Sequence, residues 1–319
     1  MKSAALILSI LTLNVAGPRR VHQGWQSRRE ALSARLKNEN ADVAAFQEIW
    51  RRDDAAALAA ASGHQHLAHE PALGLAVTSR RPIVDRDALD LGDGYGILRA
   101  GIDLGGATAD VYSARLEPET NPSALRLGQL LAASEFIRTR SKTRAFVLLG
   151  DLAIASGDKE AEIFQDLTGT RDLCISHGDE MCGRTLEDRR VDYILLPYSP
   201  HPPREEARTA FTTAMDDDGD NRPLSTHFGL AARLDGAWLK LRLSPEPEGR
   251  LEALSIIADR LDAARLEAVA RAKFAGFLPW LGSGRTLRAR AEAARLAADY
   301  ERATTALARA AKPIRSLYE

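Results

Sequence analysis

Eight short apolar, β-rich runs are what this chain must accommodate: ALILSILTLNV, DVAAFQE, LGLAVTS, ILRAGIDL, ATADVYSARL, AFVLLGD, RVDYILLP and FGLAARLD. Continuous apolar runs of this length read as strands covered on both faces. Between several of them lie helix-like stretches. Residues 25–38 space Leu32 and Leu36 amid charge, and residues 123–138 set Leu127, Leu130, Leu131 and Phe136 on one helical stripe. Strand and helix do not alternate strictly, so a parallel doubly wound sheet is not indicated. The pattern predicts an α/β domain of antiparallel or mixed sheets packed together.

The 319 residues suffice for one large domain plus an appendage. The character changes near 237–242, and SPEPEG (244–249) reads as a linker. We therefore expect one domain over 1–243 and a separate C-terminal unit over 244–319. There Leu254, Ile257, Leu261, Ala264 and Ala268 recur at helical spacing, as do Leu296, Tyr300, Ala303 and Leu307. The segment between them, FAGFLPWLGSG (274–284), makes this a helical hairpin whose stripe buries one helix on the other or on the main domain. Because that connection is apolar and aromatic and the tail carries more basic than acidic groups, membrane-surface contact through 274–284 is a second reading.

A net charge of -1 gives no strong nucleic-acid signal, since such domains are usually clearly basic. The N-terminal run MKSAALILSILTLNVAG imitates a signal peptide, but its charged start is minimal and it reads better as a first strand, which points to a cytoplasmic location. Cys174 and Cys182 lie eight positions apart. A local bridge is geometrically possible, and two free thiols are the expectation in a reducing compartment.

Polar residues punctuate the apolar runs in a repeated way. Asn14 (TLNVAG), Glu48 (AAFQEIW) and Asp151 (LLGDL) follow strands, Asp192 (RRVDYILL) enters one, and His227 (PLSTHFGLAARL) precedes one. Singly, each has an ordinary reading: strand-end amide, solvated carboxylate, turn residue, satisfied core histidine. Together they are the equipment for attacking a phosphodiester. A hard divalent cation takes carboxylate, amide and water oxygens. A histidine held by an aspartate can take a proton from water.

In order and spacing, LTLNVAG, ADVAAFQEIW, GLAVTSRRPI, VYSARL, LLGDL, RRVDYILLP and LSTHFGLAARL resemble the endonuclease/exonuclease/phosphatase superfamily, in particular its neutral sphingomyelinase-like branch. The resemblance runs from about residue 9 to 234. It implies a four-layered α/β sandwich, two packed mixed sheets flanked by helices, and Mg²⁺-dependent cleavage of a phosphodiester. Carried over by position, it implies Glu48 and Asn14 as metal-site residues and Asp151 as the residue that orients or activates water. It further implies His227 as general base with Asp192 as its partner; Asn14 and, by the chemistry of its guanidinium, Arg115 are the candidate phosphate-binding groups.

The sequence also departs from that pattern. The family's G-D-x-N has Ala153 in place of its amide, T-H-L appears as Ala114-Arg115-Leu116, and S-D-H appears as Ser225-Thr226-His227. A methyl cannot hydrogen-bond, and a guanidinium binds phosphate bidentately but is no acid or base near neutral pH. With Thr226 where a carboxylate is expected, Mg²⁺ binding should be weak. Three functions follow as expectations: an impaired or repurposed phosphodiesterase acting on a phospholipid head group, an inactive member serving as a binding module, or a nuclease.

Overall fold

A computed structural model describes residues 7–20, 24–118, 124–176, 179–180, 182–199, 205–212, 215–217, 220–244, 249–276 and 297–310. The chain begins with β1 (Ile7–Asn14), α1 (Trp25–Glu39), β2 (Val43–Gln47), α2 (Arg52–Ala61), β3 (His66–Glu70) and β4 (Leu75–Ser79). It continues through β5 (Ile83–Gly92), β6 (Tyr95–Asp103), β7 (Thr108–Arg115), α3 (Ala124–Arg140), β8 (Ala145–Asp151), α4 (Lys159–Thr168) and β9 (Thr170–Asp172). A small hairpin, β10 (Ile175–Ser176) and β11 (Asp179–Glu180), leads to β12 (Asp192–Pro197). Then follow β13 (Glu205–Ala210), the hairpin β14 (Met215–Asp217) and β15 (Asp220–Arg222), β16 (Gly229–Asp235) and α5 (Arg250–Gly276).

Two six-stranded sheets result, ordered β13-β16-β1-β2-β4-β3 and β5-β6-β7-β8-β12-β9. Both are mixed: β1 and β2 are parallel in the first, β7 and β8 in the second, and the remaining neighbours are antiparallel.

The period-2 alternation of side chains distributes each strand between two cores. Leu8 and Ile10 of β1 face the second sheet, where they join Val43, Val77, Val111, Val147, Leu149 and Ile194. Leu11 and Leu13 face the other way, toward Trp25, Leu32 and Leu36 of α1 and Leu58 of α2. On the outer side of the second sheet, Tyr112, Phe146 and Leu148 meet Leu127, Leu130 and Leu131 of α3 and Phe164 of α4. The layers are therefore helix, sheet, sheet, helix, the expected four-layered α/β sandwich.

The C-terminal stripe buries itself on the main domain. Ala253, Leu254, Ile257 and Leu261 of α5, with Ala303 and Ala310 of the helical residues 297–310, join the core over α3 and α4. Gly128 of α3 lets Ala303 approach closely: a methyl placed on that glycine would lie 3.2 Å from the Ala303 Cα. Leu296 and residues 277–284 of the apolar connection lie outside the described residues, and the membrane-contact reading with them. Among the described residues no helix is long and apolar enough to cross a membrane.

The expected free thiols are corrected. Cys174 and Cys182 form a disulfide, their Cα atoms 5.1 Å apart. The reason is local: the β10–β11 ladder pairs Ile175 with Glu180 and folds the chain back, so the two ends of the hairpin meet. Both cysteines are buried in the core between the sheets.

Candidate active site

Registry brings the polar strand ends to one edge of the sandwich. In the second sheet Arg115 of β7, Asp151 of β8 and Asp192 of β12 are direct neighbours across the ladder. In the first, Asn14 of β1 pairs with Gln47 of β2, which places Glu48 just beyond. His227 lies two residues before β16, beside the end of β1.

Tight backbone approaches fix this edge. Gly150 sits at φ 147, and a Cβ there would stand 2.1 Å from the Ala114 carbonyl oxygen, so the glycine of LLGDL is demanded by the contact between β7 and β8. The loop after β1 is clipped to the loop after β2 by the Gly17 N–H donating to the Glu48 carbonyl at 3.0 Å. Arg28 reaches from α1 to donate to the Val15 and Ala16 carbonyls at 3.1 and 2.6 Å.

The side chains converge. Asn14 Nδ2 donates to Glu48 Oε1 and to Asp151 Oδ2, each at 3.0 Å, bridging the two sheets. Asn14 Oδ1 is turned back to accept from the Ala16 N–H at 2.9 Å. His227 Nδ1 lies 2.8 Å from Asp192 Oδ2, and its other nitrogen, Nε2, lies 3.9 Å from Asp151 Oδ2. Arg115 Nη2 is 3.2 Å from Glu48 Oε1. Glu48, Arg115, Asn14, Asp151, Asp192 and His227 thus share one cleft. Thr226 is exposed beside it.

Ala153, which stands where the family pattern has an amide, contributes through its backbone. Its N–H donates to Asp151 Oδ1 at 2.9 Å, so the backbone still orients the carboxylate although no side-chain amide is present. It does so at φ 52, in the left-handed region that L residues other than Asn and Asp rarely adopt, and Glu48 at φ 55 does the same. Strain of this kind concentrates at functional sites.

Burial and mutual charge set the electrostatics. Burial first, then the neighbouring Asp192 carboxylate, push the Asp151 carboxyl up to about 6, against His227, the Asn14 hydrogen bond and Arg115. For His227 burial disfavours the imidazolium, but the charge and hydrogen bond of Asp192, with Asp151 and Glu48, outweigh it and raise the ring to about 9. The Asp192 Oδ1 atom is buried with no hydrogen-bond partner among the described residues.

Asp151, Asp192 and His227 bring one potential ligand atom each to within 4.8 Å of one another, a cluster with the composition of a metal site. Its imidazole nitrogen suits softer ions than Mg²⁺. At Glu48 and Asn14, the positions carried over for Mg²⁺, the amide oxygen is turned away and Glu48 Oε1 already accepts from Asn14 and pairs with Arg115. Mg²⁺ requires near-octahedral oxygens. This donor set does not fit it without rearrangement.

Sequence reasoning missed several supports. Ser225 Oγ donates to the Asn14 carbonyl at 2.6 Å and accepts from the His227 N–H at 3.2 Å. Thr185 Oγ1 accepts from the Asp192 N–H at 3.2 Å. Beneath the cleft, Gln47 Nε2 donates to Ser113 Oγ at 3.0 Å, so the two sheets are also joined by side-chain amide and hydroxyl. At the mouth, the Arg115 guanidinium lies over Tyr95 at 4.5 Å, and Arg19 lies over Trp50 at 4.1 Å. Gln47, Trp50, Ser113 and Ser225 stood within quoted motifs without marking themselves as supports; Arg19, Tyr95 and Thr185 carry no local signal.

A family model described as Endonuclease/Exonuclease/phosphatase family matches residues 11–238. No curated protein matches the sequence. Among solved structures, the sphingomyelinase C from Streptomyces griseocarneus aligns with a TM-score of 0.58 at 16% identity, over 73% of this chain and 100% of that one. D. rerio TDP2 complexed with a single-strand DNA product aligns with a TM-score of 0.59 at 18% identity, over 71% and 98%. The beta toxin from Staphylococcus aureus aligns with a TM-score of 0.55 at 14% identity, over 70% and 99%. At such identities these likenesses concern the fold.

Proposed function

The chain belongs to the endonuclease/exonuclease/phosphatase family, and from that premise we propose that its cleft hydrolyses a phosphate diester. The observation that carries this reading is the convergence of Asp151, Asp192 and His227 with Asn14 and Glu48 at one sheet edge. In the reaction, the oxygen of water bonds to phosphorus, the ester P–O bond breaks, and a monoester and an alcohol leave.

The roles follow from basicity. Asp151, raised to about 6, is ionised at neutral pH yet basic enough to accept the proton of the attacking water. His227, raised to about 9, is largely imidazolium at that pH, which suits Nε2 to donate to a phosphoryl oxygen or to the departing alkoxide. The carried-over general-base role thereby moves toward Asp151. Asp192 fixes the ring by holding Nδ1, and Asn14 holds Asp151 through its amide. Mg²⁺ dependence is not part of the reading, because Glu48 Oε1 is engaged by Asn14 and Arg115 and the Asn14 amide oxygen accepts from the Ala16 N–H.

A phospholipid head group is the favoured substrate. The net charge of -1 does not favour a polyanion, and a structural neighbour is a sphingomyelinase C. Another neighbour is complexed with a DNA product, so single-stranded DNA is the competing substrate to assay. Turnover of bis(p-nitrophenyl) phosphate and of sphingomyelin vesicles is expected to fall about 10²–10⁴-fold in Asp151→Asn and His227→Gln. Turnover of no ester, with or without divalent metal, would leave the second reading. That reading is a phosphate-binding module without catalysis, favoured by Ala153 and by the exposed Thr226.

A further inference from the structure

The carboxylate carried over as the principal metal ligand already has a cation. Arg115 Nη2 lies 3.2 Å from Glu48 Oε1, with only 13% of the arginine side chain exposed. The guanidinium is held by more than this pair. It lies over the Tyr95 ring at 4.5 Å and within 5.8 Å of the Trp50 ring, against which Arg19 also packs. Its Nε is buried with no hydrogen-bond partner among the described residues. Registry adds a further constraint, since Arg115 stands directly beside Asp151 across the β7–β8 ladder. This is a rigid planar cation within the cleft with donor capacity to spare.

We propose that Arg115 is the resident cation of this site, binding the phosphoryl oxygens of the substrate where a divalent metal would otherwise be held at Glu48, so that phosphate esters are engaged without metal. The proposal rests on the phosphodiester reading above. Its physical basis is the match between a guanidinium fork and two phosphoryl oxygens, which a permanently charged group sustains at any physiological pH. The aromatic rings restrict its rotation, so the donors are aimed before substrate arrives. Tyr95 and Trp50 are positioning residues. A metal at Glu48 has to break the Arg115 pair and then stand beside its charge. Cation and metal therefore compete for Glu48.

Calorimetry with inorganic phosphate in the presence of EDTA tests this. The wild-type protein is expected to bind phosphate unaffected by the chelator, Arg115→Ala at least 10-fold more weakly, and Arg115→Lys in between because a point charge replaces the fork. Titrated with Mg²⁺ alone, Arg115→Ala is expected to bind at least 10-fold more tightly than wild type, its Glu48 being released. Glu48→Gln keeps the test sharp if the arginine variants fold poorly. It frees the guanidinium and should tighten phosphate several-fold, whereas a metal-mediated site would lose phosphate altogether. Loss of phosphate binding in EDTA, or an unchanged isotherm in Arg115→Ala, overturns the proposal. Hydrolysis that strictly requires Mg²⁺ and survives Arg115→Ala keeps the phosphodiesterase reading and sinks the arginine. Phosphate binding that requires Arg115 with no ester turned over does the reverse.

Discussion

Ala153 carries a conformation that its side chain does not favour. At φ 52 an alanine pays roughly 1 kcal/mol relative to glycine, and asparagine tolerates the region better than most residues. Ala153→Gly and Ala153→Asn are therefore expected to raise stability by about 0.5–1 kcal/mol in chemical denaturation, with Ala153→Val lowering it. The ionisable pair makes a second prediction. His227 is raised in the fold to about 9 from an ordinary 6.5, so its stabilising contribution is complete below pH 6.5 and is lost as pH rises from 6.5 to about 9. The loss amounts to up to about 3 kcal/mol. Asp151 acts in a separate, lower window, since its raised carboxyl costs stability as pH climbs from about 4 to about 6. Urea melts of wild type and His227→Gln across pH 6–10 should show the alkaline decline in the first and a flatter profile in the second. A parallel decline in both would remove His227 as its cause. At this scale the sequence was informative about identity and silent about state: Asp151 and His227 were recognisable as candidate site residues, but their shifted basicity arises from burial and neighbours far along the chain.

Among the elements, the strands legible in the sequence are the interior ones. The eight apolar runs correspond to β1, β2, β4, β6, β7, β8, β12 and β16, each flanked on both sides in its sheet. Within the two six-stranded sheets, the four strands that the hydropathy did not single out, β3, β5, β9 and β13, are the edges. An edge strand pairs on one side only and carries charge that discourages further pairing, as in IVDRDALDLG of β5 and EEARTA of β13, so its apolar signal is weak. Two element-level outcomes are expected. Reducing the Cys174–Cys182 bridge, which closes a short loop, should cost about 2–3 kcal/mol by the chain-entropy relation, read as a lower melting temperature in dithiothreitol and in Cys174→Ser. Replacing Ala303 by leucine should cost about 1–3 kcal/mol, because the Gly128 contact leaves no room for a larger side chain between α3 and the helical residues 297–310. A neutral result would mean that these helices do not pack on the domain in solution.

For the whole molecule, the cleft exists because two sheets present their ends side by side. Asn14 and Asp151, hydrogen-bonded at 3.0 Å, are 137 positions apart, and Ser225 reaches Asn14 across 211. Restoring the family residues together, as Ala153→Asn, Thr226→Asp and Arg115→His, is expected to convert the site to metal dependence. Mg²⁺ affinity by calorimetry should rise at least 10-fold over wild type, and no gain would show that these positions do not line a common metal site. What the sequence determined by itself was the fold class, the eight interior strands, the helices α1 and α3 and the polar residues that meet at one sheet edge, because burial forces apolar periodicity and strand ends are local events. Which donors are free was decided by the tertiary structure alone. The Glu48–Arg115 pair, the turned amide of Asn14 and the bridged cysteines depend on distances between remote segments, and a linear pattern of residue types holds no record of those distances.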